Sequence, residues 1–266
     1  MSAEVALTAS TFEVAWEHAK LGEMPIVLYV PPSGFLEIER AAVVRRAWEE
    51  LESAGLARHG RLDESLAGML ELLSTPSRAV DARLALGRAG QPGTEVCGMA
   101  AARGGDGVLA RLVDDTLTLR QIFGDALSRE IVKLLPDEPA GPGRSVSLPR
   151  EQLDPAARAA GSSLSWFAER LIRAGVPGDQ ARTLIRMIDG TKRRGQFGAA
   201  VREPDGRRRA AQRVVGVHDT PGGRYLMVDR AGTDGRVWTT VTPAAAHVLV
   251  EHVQAMLDAL AAADHR

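Results

Sequence analysis

The chain opens with apolar residues at helical spacing. Phe12, Trp16 and Ala19 follow Ser10, whose distance from Glu13 fits a capping box, and Gly22 ends the turn. "PIVLYVP" (25–31) predicts a brief strand. From about Gly34 to Gly55, Ile38, Ala41, Val44, Trp48 and Leu51 line one side of a long helix, and Leu66, Met69, Leu70 and Leu73 predict a third, stopped before Pro76. From Arg78 the period shortens to two: Val80, Ala82, Leu84 and Leu86 alternate with Asp81, Arg83 and Ala85, predicting a strand. Three more strands follow near 94–103, 107–113 and 116–122, with "GGDG" and "DD" at the turns, then a helix through Leu127, Ile131 and Leu134 that ends at Pro136.

"PDEPAGPGR" (136–144) reads as an extended connection into the alternating "SVSLP", and beyond it the order recurs. Leu164, Phe167, Leu171 and Ala174 make one apolar stripe, and Ala181, Leu184, Ile185 and Ile188 another. Strands are predicted near 193–201, 212–218, 223–230 and 236–241, with "EPDG", "TPGG" and "GTDG" between them. Thr242 and Pro243 fit the N-cap and first position of a last helix whose core face is Ala246, Leu249, Val250, Val253, Leu257 and Leu260. Each half reads helices, four strands, one helix. The expected fold is therefore α/β (α+β): one domain over 1–266, with halves of about 1–140 and 141–266, and a central, mainly antiparallel sheet flanked by helical bundles.

Composition narrows the task. Apolar residues make up 45% of the 266, and 33 Lys and Arg against 34 Asp and Glu leave a net charge of -1, so no global field draws the molecule to nucleic acid or anionic lipid. Cys97 is the single cysteine, which excludes an internal disulfide and a thiolate zinc site. The opening "MSAEVALTAS" lacks the pattern of a signal peptide, and no stretch reaches the ~20 apolar residues of a membrane span, so a cytoplasmic protein without a membrane segment is expected.

Candidate chemistry is sparse. In "VHDTPGGRYL" (217–226) adjacent His218 and Asp219 fall on opposite faces of a strand and cannot form a dyad, and the glycines suit a hairpin turn. An enzymatic reading would need His218, Arg224 and Tyr225 to converge. In "HVLVEH", His247 and His252 are five apart, wrong for shared metal ligation on a helix. "GPGR" (141–144) lacks the third glycine of a dinucleotide loop, and no Walker loop is present. No catalytic residue, cofactor or metal is assigned.

Two features point to binding instead. Eight basic residues against two acids between Lys192 and Arg213 suggest a solvated sheet edge or a surface for an acidic protein. Nucleic acid is the weaker alternative, because Phe197 is the region's one aromatic. Trp166 stands nearly opposite its helix's apolar stripe, and Met187 is likewise off-stripe.

"LGEMPIVLYVPPSG" (21–34), "GPGRSVSLP" (141–149), "GQFGAAVREPDGRRR" (195–209) and "DTPGGRYL" (219–226), in this order, resemble the actinobacterial EspG family of proteins associated with type VII (ESX) secretion. The resemblance spans almost the whole chain. It implies a cytosolic, substrate-specific chaperone that holds PE/PPE-like helical clients and masks an aggregation-prone tip before export, with release by an ESX AAA+ ATPase. It also implies an antiparallel sheet in two quasi-symmetric halves, and binding through that sheet and the C-terminal helical bundle. No family motif fixes the contact residues. On physical grounds the client-binding candidates are Trp166, Arg170 and Met187 on the helices, and Gln196, Phe197 and Arg202 near the sheet edge.

Overall fold

The structure is a computed structural model that describes residues 4–87, 94–161 and 163–262. Its first half runs β1 (Val5–Thr8), α1 (Ala9–His18), a 3-10 turn (Ile26–Leu28), α2 (Glu37–Ser53), the small hairpin β2 (Ala57–Arg58) and β3 (Arg61–Leu62), and α3 (Glu64–Ser74). The strands β4 (Arg78–Ala85), β5 (Glu95–Arg103), β6 (Asp106–Val113) and β7 (Thr116–Phe123) follow, then α4 (Leu127–Val132). The second half repeats the order with β8 (Val146–Pro149), α5 (Arg150–Ala160), α6 (Leu164–Arg173) and α7 (Gly178–Ile188). Its strands are β9 (Arg193–Arg202), the short β10 (Arg208–Ala210), β11 (Val215–Thr220), β12 (Gly223–Ala231) and β13 (Val237–Pro243), and α8 (Ala246–Ala262) ends it.

All these strands except β2 and β3 join one antiparallel sheet in the order β1-β7-β6-β5-β4-β9-β11-β12-β13-β8, with β10 paired onto β9. From either end the sheet runs from a short strand through the last, third and second to the first long strand of that half. The halves meet where β4 and β9 pair from Arg78↔Val201 to Ala85↔Arg194, so β9 lies in the middle of the sheet. The β9 part of the basic segment expected at an edge is thus central, because the two halves join through their first long strands. Gln196, Phe197 and Arg202 move with it.

Alternation assigns the faces. On one face Val80, Ala82 and Leu84 of β4, Phe197 and Ala199 of β9, and Val217 and Leu226 pack under α4 and α8 in a core shared by both halves. The other face carries two separate cores. Phe12, Trp16, Leu66, Leu70 and Leu73 cover the outer strands of the first half, and Phe167, Leu171, Leu184 and Met187 cover those of the second. The joining strands between them are left without a helix.

Several elements differ from the sequence reading. Helix α1 is capped by Thr8, not Ser10: the Thr8 hydroxyl accepts from Thr11 N at 3.2 Å, and Glu50 of α2 accepts hydrogen bonds from the Thr8 amide and the Thr8 and Thr11 hydroxyls at 2.9, 2.9 and 2.6 Å. "PIVLYVP" forms a 3-10 turn over the sheet, with Val27 and Leu28 buried and Ile26 and Tyr29 exposed. On α2 only Ala47 and Leu51 are buried, while Ile38 is 79% exposed because the first turns project past the core. Helix α5 went unpredicted, since Pro155 interrupts it and its buried residues are only Ala156 and Ala160. Thr242 and Pro243 end β13 rather than capping α8, which starts at Ala246.

Candidate functional site

The uncovered strip is built by β4 and β9. Residues 79, 81, 83 and 85 of one strand and 194, 196, 198 and 200 of the other point away from the shared core, with Arg83 directly beside Gln196 and Asp81 beside Gly198; the pair Ala79 and Ala200 is buried, so the open part runs from Asp81 to Ala85 and from Arg194 to Gly198. On the side of the second half a groove of about 620 Å³ opens between the strip and the helices. Leu153 and Ala157 of α5, Phe167 of α6, and Leu184 and Ile188 of α7 form its apolar wall. Arg83, Arg194, Gln196, Gly216, His218 and Met227 contribute from the sheet. On the other side a smaller groove of about 420 Å³ runs between the 3-10 turn, the end of α3 and the strip, and Arg83 borders both. A third cavity, about 840 Å³, lies against α3, α4 and the ends of β5 to β7. Its arginines are partly taken up by Arg103–Glu71 and Arg120–Glu130 pairs, and it is remote from the strip.

The groove wall is anchored from below. His218 Nε2 donates to the Met187 carbonyl at 2.9 Å, and its ring stacks on Tyr225 with centroids 5.5 Å apart. Burial holds the His218 pKa below the usual imidazole value, against the opposing pull of the Met187 carbonyl and the Asp219 carboxylate. Tyr225 donates to the Pro142 carbonyl at 3.1 Å, and burial raises its pKa. Asp81 is also raised, by burial first, with Arg208 and Arg83 acting in the opposite direction.

"VHDTPGGRYL" is resolved as a hairpin. Strand β11 ends at Thr220, β12 starts at Gly223, and Gly223 adopts φ +126° with Gly141 packed close against it. The register pairs His218 with Tyr225 on one face and Asp219 with Arg224 on the other, so Arg224 lies on the opposite face from the stacked His218 and Tyr225 and the three residues of the enzymatic reading do not converge. Arg224 Nε and Nη2 hold Asp219 at 2.7 and 3.0 Å, both side chains being 1% exposed, and Nη2 also donates to the Pro136 carbonyl at 2.7 Å.

The candidate contacts divide. Trp166 is 57% exposed, and Arg170, one turn further along α6, is exposed beside it. Neither lines the groove, where Phe167 takes the place. Gln196 is exposed on the groove floor. Met187 and Phe197 are corrections: at 1% and 0% exposure they belong to the core. The buried stripe of α7 runs Ala181, Leu184, Met187, and the 136–144 connection lies over Met187, whose methyl group abuts Gly143. Phe197 points to the α8 face. Arg202 is tied down by the carbonyls of Gly206 (2.7 Å), Pro76 (3.4 Å) and Ser74 (3.4 Å). Arg83 and Met227, outside the sequence-derived candidates, also line the groove. Their signal was the alternation of "DARLA" and "RYLMVD" once the strand order is known.

The basic segment is partly spent. Lys192 and Arg193 pair with Glu138, Arg207 with Glu203 and Asp205, and Arg209 with Glu203. That pairing weakens the nucleic-acid alternative. No helix among the described residues is long and apolar enough to cross a membrane, and none of their His, Cys, Asp or Glu residues form a cluster placed to hold a metal ion.

An antiparallel sheet whose central face stays open between two helical layers defines a scaffold for presenting a docking surface. The chain belongs to the EspG family, whose family model matches residues 8–255. Its fold is similar to that of the Mycobacterium tuberculosis type VII secretion system chaperone EspG5, solved in complex with a PE25–PPE41 dimer. The TM-score is 0.77 at 16% sequence identity, with 96% of each chain covered. Among curated proteins no sequence match was found.

Proposed function

We propose that this protein is a cytoplasmic chaperone of type VII secretion, without enzymatic activity, that holds a PE/PPE-like helical client until an ESX AAA+ ATPase or other export component takes it. The single observation behind this reading is the open strip of β4 and β9 with an apolar-walled groove beside it, in a family member whose fold is shared with a chaperone solved with its client dimer. A helical tip laid there would place apolar side chains against Leu153, Phe167, Leu184 and Met227 and hide a few hundred Å² of sticky surface. Trp166 and Arg170 extend that surface along α6, with Trp166 as an aromatic anchor.

The test is co-expression with the PE/PPE-like pairs of the same genome, followed by size-exclusion chromatography. A stoichiometric complex is expected with at least one pair, and failure with every pair sinks the reading. Trp166→Ala is expected to weaken capture by about 2 kcal/mol, roughly 30-fold in Kd. Its melting temperature should stay within about 2 °C, because an outward side chain contributes little to the core. Equal loss of stability and capture would remove Trp166 from the interface.

A further inference from the structure

The cations of the open strip differ from those around them. Arg83, Arg194 and Arg208 are all exposed, and none lies within ion-pair distance of a carboxylate among the described residues. Arg83 has one weak bond, from Nη2 to the Ile26 carbonyl at 3.4 Å. The three are held on one face by strand pairing: Arg83 lies across from Gln196, Arg194 from Ala85, and Arg208 from Arg202. Among the described residues, Asp81 is the one carboxylate on the outward face of β4 and β9. It is largely buried over Gly198, and its ionised form is disfavoured by that burial. Glu23 and Glu95 stand at the rims of the two grooves.

Three guanidiniums spread along one face of the joined strands, from Arg194 at one end of β9 to Arg208 opposite Arg202 at the other, with no carboxylate in ion-pair contact, would be blunted by acids if they served only to keep the surface soluble. The neighbouring Lys192, Arg193, Arg207 and Arg209 are neutralised in this way. Left free on the joining strands, with Arg208 on the short β10 at the end of β9, and bordered by apolar walls, they form forks suited to bidentate contact with carboxylates brought by a ligand. We propose that Arg83, Arg194 and Arg208 make the open strip a receptor for an acidic polypeptide segment, whose carboxylates sit on the floor while its apolar residues enter the larger groove. This rests on the chaperone reading and adds the chemistry by which a client is selected: the docking tip carries acidic residues flanked by apolar ones. Arg83, shared by the two grooves, is the central contact. Arg208 serves the smaller groove and Arg194 the larger.

The test uses the full chain with poly-L-glutamate as the acidic probe and a 20-nucleotide oligo-dT as the competing polyanion, both at about 50 mM salt, where such contacts are least screened. Wild type is expected to bind poly-L-glutamate and to lose at least tenfold in affinity in R83Q/R194Q/R208Q. A control, R207Q/R213Q, removes two cations from the same basic segment and should change binding less than twofold. Circular dichroism melts of both variants check folding, and each single substitution (R83Q, R194Q, R208Q) is assayed in case the triple variant does not fold. Equal loss in the control, no loss in the triple variant, or tighter binding of oligo-dT than of poly-L-glutamate overturns the proposal. Client capture by the triple variant at wild-type affinity overturns it while leaving the chaperone reading intact; absence of any client complex fails that reading instead.

Discussion

Removing the Arg224 guanidinium tests whether the hairpin at 217–226 is structural. Asp219 and Arg224 are each 1% exposed and share two short hydrogen bonds, so Arg224→Met leaves a buried carboxylate with Arg193, at 3.6 Å, as its remaining cation. Breaking a buried pair from one side costs about 3–5 kcal/mol, and the residual Arg193 contact places this case near the lower end, about 3 kcal/mol. The Pro136 carbonyl also loses its donor, loosening the connection between the halves. For a chain of this size each kcal/mol moves the melting temperature by about 2–4 °C, so a fall of about 6–12 °C is expected. Urea titration followed by circular dichroism should show a lower midpoint at unchanged slope. In Asp219→Leu/Arg224→Met both charges are gone, and most of the loss should be recovered. A single-variant loss under about 1 kcal/mol, or a double variant no better than the single, would refute the idea that this pair fastens the hairpin to the inter-half connection.

Two further outcomes follow from the same contacts. His218 and His252 both have pKa values lowered by burial. The unfolded chain therefore takes up protons first, and stability present above pH ~6.5 is lost as pH falls below it. Melting curves at pH 7.5 and 5.5 should show this drop, and His218→Gln should shrink it; an unchanged drop would refute burial of a neutral His218. We also propose that the two halves are one folding unit, because β4 pairs with β9 and Val80 and Phe197 share a core. Residues 1–140 expressed alone should show no cooperative melt, and a stable monomer with a sharp transition would overturn this.

Much of the fold was legible because local period and tertiary environment agree. Strand β4 alternates along much of its length, β5, β6, β11 and β12 read as apolar runs buried on both faces and bounded by turn residues, and α3, α6 and α8 carry stripes that the structure buries: Leu66, Met69, Leu70 and Leu73 on α3, and Leu249, Val253, Leu257 and Leu260 on α8. Errors arose where long-range contacts decide. Glu50, 42 residues away, selects Thr8 as the cap, and the packed 136–144 connection turns Met187 from an outward residue into a core one. The site was less legible than the fold. Which strands lie at the centre is a matter of pairing across more than a hundred residues, as in Ala82 with Phe197, 115 positions further along the chain, and no local pattern records it.

The uncovered strip can nevertheless be traced to composition once the join is known. Each half supplies its own helical layer on one face, α1 to α3 or α5 to α7, and each layer lies over its own outer strands, while α4 and α8 meet over the join on the other. The joining strands are therefore two-faced by necessity. Val80, Ala82 and Leu84 alternate with Ala79, Asp81, Arg83 and Ala85, and Phe197, Ala199 and Val201 with Arg194, Gln196, Gly198 and Ala200. Had the second face been meant for a helix, apolar residues would stand at 81, 83, 194 and 196, as they do at 225 and 241 under α5 to α7. Charged and small residues stand there instead, so the gap is encoded in the strands themselves. A ligand that fills it must satisfy guanidiniums on the floor as well as the apolar wall, and a purely hydrophobic partner would leave those charges desolvated and unpaired.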